Sequence, residues 1–127
     1  MKYIGIVGCS VGRWITCADP IMSILGKYNP QDTTIVSGGA DGVDRIAVKI
    51  AKKLGFKVIE YLPKGIGWQY YKPRNILIAN KCDKVYSIAL PLSKGSKKCY
   101  HCGDNNHTKT AGCWTAHKCQ EYEVLVA

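Results

Sequence analysis

Thr33-Thr34-Ile35-Val36-Ser37-Gly38-Gly39-Ala40-Asp41-Gly42-Val43-Asp44-Arg45-Ile46-Ala47 reads as a strand, a glycine turn and the opening of a helix. Thr33 to Val36 is β-branched throughout, the side-chain shape that packs well on a pleated sheet. Three glycines in five residues, 38 to 42, then allow a sharp reversal and a close approach to the main chain. From Val43 to Leu54 the apolar positions Val43, Ile46, Ala47, Ile50, Ala51 and Leu54 share one helical stripe. Gly55 follows, as expected of a helix end.

The same alternation continues on both sides. Upstream, Tyr3 to Val7 is a short apolar strand that runs into Gly8-Cys9-Ser10-Val11-Gly12. Asp19-Pro20 then opens a helix, with Pro in its first turn and Ile21, Ile24 and Leu25 on one face. Downstream, Lys57 to Leu62 is a third strand, closed by Pro63. Pro73 to Cys82 is a short helix, Lys84 to Ala89 a fourth strand, Cys113 to Tyr122 a last helix and Glu123 to Val126 a last strand. Strands separated by helices imply βαβ units. The expected fold is a single Rossmann-like α/β domain, residues 1–127, with a mainly parallel five-stranded sheet and helices on both faces. Residues 93–113 are polar and form an insertion. Open parallel sheets bind ligands beyond the carboxyl ends of their strands. Residues 8–14, 37–42 and 90–113 are therefore the loops that matter.

Composition narrows the class. The chain has 127 residues, 46% hydrophobic and 21% charged, suited to one domain with a real core. No apolar run is long enough for a membrane helix. Met1 to Gly8 reads as a strand rather than a signal peptide, so a cytoplasmic protein is expected. The net charge is +9. Of 18 basic residues only Arg13, Arg45 and Arg74 are arginine, and the other 15 are lysine. Such a surface serves solubility or an anionic partner: nucleotide, phosphate or nucleic acid.

Seven cysteines cannot all pair within one chain. Cys99, Cys102, Cys113 and Cys119 crowd the last third, a poor disulfide framework and a better metal pattern. Cys9, Cys17 and Cys82 read as small buried residues. Cys99, Cys102, His107 and Cys113 have the spacing C-x2-C-x4-H-x5-C. A C-x2-C turn presents two thiolates to one ion, and two further ligands complete a tetrahedron around zinc. Four protein ligands make the metal structural. His101, His117 and Cys119 are the spare ligands that could replace one of these. Zinc would offset the entropy of a long flexible loop. Because Cys113 opens the last helix, it would also brace one wall of the crevice.

The glycine turn at residues 38–42 leads into a helix N-terminus, where free N–H groups and the macrodipole favour an anion. It is neither the dinucleotide fingerprint nor a Walker loop. Asp41 and Asp44 serve equally well as helix-capping acids or as acceptors for ribose hydroxyls. Cations at Lys72 and Arg74 oppose the macrodipole of a helix starting at Pro73, unless an anion sits between them and the helix end. Trp14, Trp68, Tyr70 and Tyr71 are either packing residues or surfaces for stacking a base.

Val36-Ser37-Gly38-Gly39-Ala40-Asp41-Gly42-Val43-Asp44-Arg45-Ile46-Ala47 resembles the S-G-G-A-x-G-x-D-x-x-A signature of the SLOG superfamily. That group includes DprA, the LOG phosphoribohydrolases and small stand-alone YspA-like proteins. Gly8-Cys9-Ser10 with Arg13, Pro73-Arg74-Asn75, Cys82-Asp83-Lys84-Val85 and Gly112-x-x-Thr115-Ala116 extend the likeness over nearly all the chain outside residues 93–111. The resemblance implies a Rossmann-like fold that binds nucleotides or nucleotide-derived ligands. It carries that role onto Ser10, Arg13, Gly38, Gly39, Asp44, Arg74, Gly112 and Thr115. Gly8, Cys9, Ser37 and Asp41, in the same loops, complete the candidate ligand-binding set. LOG enzymes carry a catalytic glutamate in P-G-G-x-G-T-x-x-E, whereas Gly112-Cys113-Trp114-Thr115-Ala116-His117 has no acid. The insertion resembles a CCHC zinc knuckle, which has four rather than five residues before its last Cys. Its aromatic Tyr100 and Gly103 also match. Knuckles bind single strands through aromatic and basic residues, here Tyr100, Trp114, Lys94, Lys97, Lys98 and Lys109.

Four functions of different class follow as expectations, the last a pure interaction module with an empty crevice and a protein on its surface. The first is binding of a nucleotide-like anion beside a structural zinc. The second is hydrolysis of a nucleotide or nucleoside N-glycosidic bond, with Asp41 or Asp44 supplying a carboxylate. The third is single-stranded nucleic-acid binding. A homo-oligomer is left open by the sequence.

Overall fold

The computed structural model describes residues 1–102 and 107–127. Nine elements alternate: β1 (Lys2–Gly8), α1 (Trp14–Leu25), β2 (Thr33–Ser37), α2 (Val43–Lys53), β3 (Lys57–Glu60), α3 (Trp68–Lys81), β4 (Lys84–Ala89), α4 (Ala111–Lys118) and β5 (Tyr122–Val126). The five strands form one sheet in the order β3-β2-β1-β4-β5, with every pairing parallel. The order reverses beside β1, since β2 and β3 extend to one side and β4 and β5 to the other. A crevice therefore opens above the β1–β4 boundary.

Both faces of the sheet are covered, and the alternation of side chains divides the core in two. Ile4, Ile6, Ile35, Tyr86 and Ile88 point to the face held by α1 and α2. Val7, Val36 and Val85 point to the other, where Ile78 and Ala79 of α3 and Ala116 of α4 meet them. The α2 stripe is buried as its spacing predicts, with Val43, Ala47 and Ala51 fully inaccessible.

Three helices begin earlier than expected: α4 starts at Ala111 rather than Cys113, and the other two both involve proline. Pro20 lies inside α1, not in its first turn. Cys17 and Ala18 are buried with Ile21, Ile24 and Leu25, so the apolar stripe already runs upstream of the proline. Pro73 likewise lies inside α3, which starts at Trp68 after Gly67 at φ +114°. A proline in the second turn costs one backbone hydrogen bond near the helix start, which packing of Asn75, Ile78 and Ala79 outweighs. Lys72 and Arg74 are therefore in the second turn. The macrodipole falls off within the first turn, so it does not call for an anion between these two cations. The last helix ends at Lys118 rather than Tyr122, which belongs to β5.

The insertion returns on itself through antiparallel bridges Pro91–His107 and Lys98–Thr108. Cys99 donates its amide to the His107 carbonyl at 3.0 Å, and Lys109 donates to Lys97 at 2.9 Å. Among the described residues, no helix is long and apolar enough to cross a membrane.

Candidate functional site

The crevice at the switch point has a volume of about 560 Å³. Its floor and walls come from the loop after β1 (Gly8, Cys9, Ser10), the β2–α2 turn (Gly38, Gly39, Asp41) with Asp44, Arg74 of α3, and Gly112 with Thr115 of α4. Ten of the twelve residues expected at the ligand are thus brought together. Arg13 and Ser37 are not among the lining residues. Arg13 is exposed at the N-terminal boundary of α1. Ser37 is fully buried, and its Oγ accepts the Gly39 amide at 3.2 Å. Lys109, Thr110, Tyr71 and Asn75 also line the crevice. Asn75 stood beside Arg74 in the quoted Pro-Arg-Asn triplet, but nothing in the local pattern marks Thr110, and Lys109 was expected only as a basic residue of the insertion.

Close approach of main chains explains the glycines. A Cβ on Gly112 would lie 2.7 Å from Gly8 Cα, so α4 rests directly on the end of β1. Gly42, at φ +76°, faces the Cys9 carbonyl and Ser10, and the Val43 amide donates to that carbonyl at 3.1 Å. These contacts tie the first two loops together. Thr110 caps α4 by accepting the Gly112 amide at 3.2 Å.

Asp44 has a different role from a helix-capping acid paired with a side-chain N-cap. The residue before α2 is Gly42, which has no side chain to cap with. The buried Asp44 carboxylate folds back under the turn and accepts the Gly38 amide at 3.1 Å. The amides of Ala40 and Gly8 also reach it. The turn thus forms an anion nest, and the protein's own carboxylate fills it. Amides at Gly38 and Gly39, expected to meet a phosphate, are already engaged by Asp44 and Ser37. Asp41 is exposed and pairs at 2.7 Å with Arg45, one helical turn on.

Arg74 closes this arrangement. Its Nη1 donates to the Gly38 carbonyl, and its Nε donates to Asn75 Oδ1 at 2.7 Å. The guanidinium lies 5.5 Å from the Tyr71 ring centroid. Guanidinium carries five N–H groups, so these two bonds leave donors for a ligand in the crevice. Burial pushes the Asp44 carboxyl up from 3.8 to about 6, while Arg74 and the three amides pull it down.

That shift has a sign that can be tested. Asp44 binds its proton more tightly folded than unfolded. Its contribution to stability is full below pH 3.8 and is lost as pH rises through about 6. The stability of wild type relative to Asp44→Asn is therefore expected to fall between those two values and to level off above them. Urea midpoints of both proteins across that range check it. A flat difference would mean that the carboxyl is not desolvated.

Beside the crevice, ligand atoms of Cys99, Cys102, His107 and Cys113 lie within 4.8 Å of one another. A tetrahedral zinc with bonds of about 2.0–2.3 Å spaces its ligands roughly 3.5–3.8 Å apart, so a small inward adjustment suffices. His107 supplies an independent sign of fit. It is 1% exposed, and its Nδ1 pairs with the Thr108 carbonyl at 3.0 Å. Its Nε2 is buried with no hydrogen-bond partner. A ring with one nitrogen on a backbone carbonyl and the other buried without a partner, in a side chain that gathers with three cysteines, has the arrangement usual for a metal ligand. Burial pushes the Cys113 thiol up, with Cys102 and Cys99 adding to it and a bond from Ser87 opposing.

None of the spare ligands enters the cluster. His101 stacks on Tyr100, with centroids 4.3 Å apart. His117 Nε2 lies 3.5 Å from Cys102 Sγ, and its ring rests on Tyr122. Cys119 donates to the Cys82 carbonyl in the second core cluster. Gly103, the glycine of the knuckle pattern, lies outside the described residues.

Comparison with known proteins agrees with the geometry. No curated protein matches the chain. The X-ray structure of DNA processing protein A (DprA) from Streptococcus pneumoniae matches with a TM-score of 0.62 at 16% identity. The alignment covers 98% of this chain and 58% of that one, so the likeness is one of fold, and this chain spans little more than half of that protein's length. A family model described as DNA recombination-mediator protein A matches residues 2–100, a span that holds β1 to β4, the glycine turn and Arg74 but only the first of the four clustered metal ligands. By that match across most of its length, the chain belongs to the DNA recombination-mediator protein A family.

Proposed function

We propose that the crevice binds a nucleotide or nucleotide-derived anion, and that a structural zinc on Cys99, Cys102, His107 and Cys113 braces its α4 wall. The observation that carries this reading is Arg74, a half-buried guanidinium set between the glycine turn and an open crevice at the switch point. The volume of about 560 Å³ suits a small molecule. Since Asp44 holds the turn's amides, the phosphate falls to the remaining donors of Arg74 and to Lys109. Ser10 lies on the opposite lip. Asp44, with amides on its carboxylate, keeps acceptor capacity for a sugar hydroxyl, and Gly8, Gly38, Gly39 and Gly112, whose amides are already taken, let the sugar and base approach the main chain closely because they lack side chains. The donor set, three thiols and an imidazole, is one that zinc takes as a closed site.

Native mass spectrometry of freshly purified protein tests both parts together. One zinc per chain and a retained nucleotide-sized ligand are expected. Arg74→Gln should lose the ligand and keep the zinc, since charge-assisted bonds contribute about 1.5–3 kcal/mol. Equal retention by wild type and Arg74→Gln would count against the site.

A second reading has its own support. The family is described by a role in DNA recombination, and a separate groove between α3 and α4 is lined by Trp68, Trp114, Lys72 and Lys118. The two indoles meet edge to face at 4.9 Å, and Lys118 lies over Trp114. Aromatic and lysine side chains together are what a single strand needs. This reading expects affinity for an oligonucleotide that falls steeply with salt. No binding at low salt would remove it.

A further inference from the structure

We infer that the metal cluster and the crevice are one linked unit: metal occupancy sets the affinity of the crevice, and an anion in the crevice tightens the metal. This rests on the nucleotide reading above and deepens it, because a brace could stabilise the fold without touching affinity. The two sets of residues interleave in one short stretch. His107 and Cys113 belong to the metal cluster, while Lys109, Thr110, Ala111, Gly112 and Thr115 line the crevice.

The connections leave little slack. Cys113 is the third residue of α4, and its Sγ lies 3.4 Å from Ser87 Oγ on β4. Thr110 caps the same helix and also receives the Cys113 amide. The His107 carbonyl accepts the amide of Cys99, so two metal ligands also share a backbone bond. Without a metal, His107 holds a buried nitrogen with no partner, and water is its nearest remedy. Exposing that ring moves residue 107, and Lys109 and Thr110 follow it within three residues. The crevice then loses a cation and the cap of α4, while the walls built by β1, α2 and α3 stay in place. Whatever the metal adds to the crevice, the crevice returns to the metal by the same factor.

Hydrogen exchange and a titration test this on the wild-type chain. Exchange is followed with zinc bound, after chelation, and after zinc is restored. Chelation should strip protection from residues 107–115 and leave β1, β2 and β4 protected, and zinc should restore it. Unchanged protection at 107–115, or loss across the whole chain in step, would overturn the linkage. In the second arm, adenosine 5′-monophosphate is titrated against both forms. Affinity should fall roughly 5–150-fold on chelation, the range of ordinary coupling between sites. Equal affinities would overturn the linkage and leave the nucleotide reading standing. No binding to the zinc form would count against the nucleotide reading, and the exchange arm would still decide the linkage.

Discussion

If the cluster holds zinc as proposed, chelation is expected to lower the melting temperature by roughly 10–20 °C, the largest effect of any single perturbation here. A ligand that binds only the folded chain adds about 4.1 kcal/mol at a thousandfold excess over its dissociation constant. In a domain of this size, each kcal/mol shifts the midpoint by about 3–5 °C. The cluster gathers a buried histidine and three cysteines, two of them fully inaccessible. Leaving them without an ion strands a polar nitrogen among thiols. Scanning calorimetry with and without a chelator measures the shift. His107→Gln should bring the zinc-supplied protein most of the way to the chelated value. An unchanged midpoint would mean that the four side chains gather for packing alone.

Gly112→Ala is the second large effect. The new methyl would lie 2.7 Å from Gly8 Cα, 2.8 Å from Gly8 N and 2.9 Å from Ser87 Oγ. Two of these are main-chain atoms of a central strand, which cannot rotate aside. Overpacking of this kind costs about 1–3 kcal/mol. The strain also falls on the contact that seats α4 against the crevice, so ligand affinity should drop more than tenfold. Gly26→Ala is the control, because its Cβ would meet nothing closer than 3.4 Å and its φ of −63° suits any residue. Urea midpoints should separate the two variants. Equal stability would show that α4 can lift off β1 at little cost.

Sequence periodicity carries far in this chain, and it stops at identifiable places. The α2 stripe from Val43 to Ala51, the β-branched run at Thr33 and the glycines after it were legible because each is a local pattern. That Cys99, Cys102, His107 and Cys113 gather was legible for a similar reason: their spacing is a local pattern even though the fold brings them together. Helix starts were misread at Pro20 and Pro73. A proline near an N-terminus looks the same in one dimension whether it opens a helix or interrupts one. Arg74 does line the crevice, but the longer α3 removes the helix-start reason that pointed to it. The filling of the glycine turn by Asp44 was not legible. The carboxylate reaches amides on two loops, and only the tertiary fold brings Gly8 beside Gly38. That Lys109, expected only among the insertion's basic residues, and Thr110 line the crevice was hidden for the same reason, since the polar insertion becomes a wall only when α4 docks on β1.

Titration calorimetry of the zinc-loaded protein with 5′-phosphorylated nucleotides, and with the same nucleosides lacking the phosphate, tests the central claim most directly. At least one nucleotide should bind, its nucleoside should bind far more weakly, and Arg74→Gln should erase the difference between them. Nucleotide and nucleoside binding alike, or a phosphate preference that persists without the guanidinium, would contradict it.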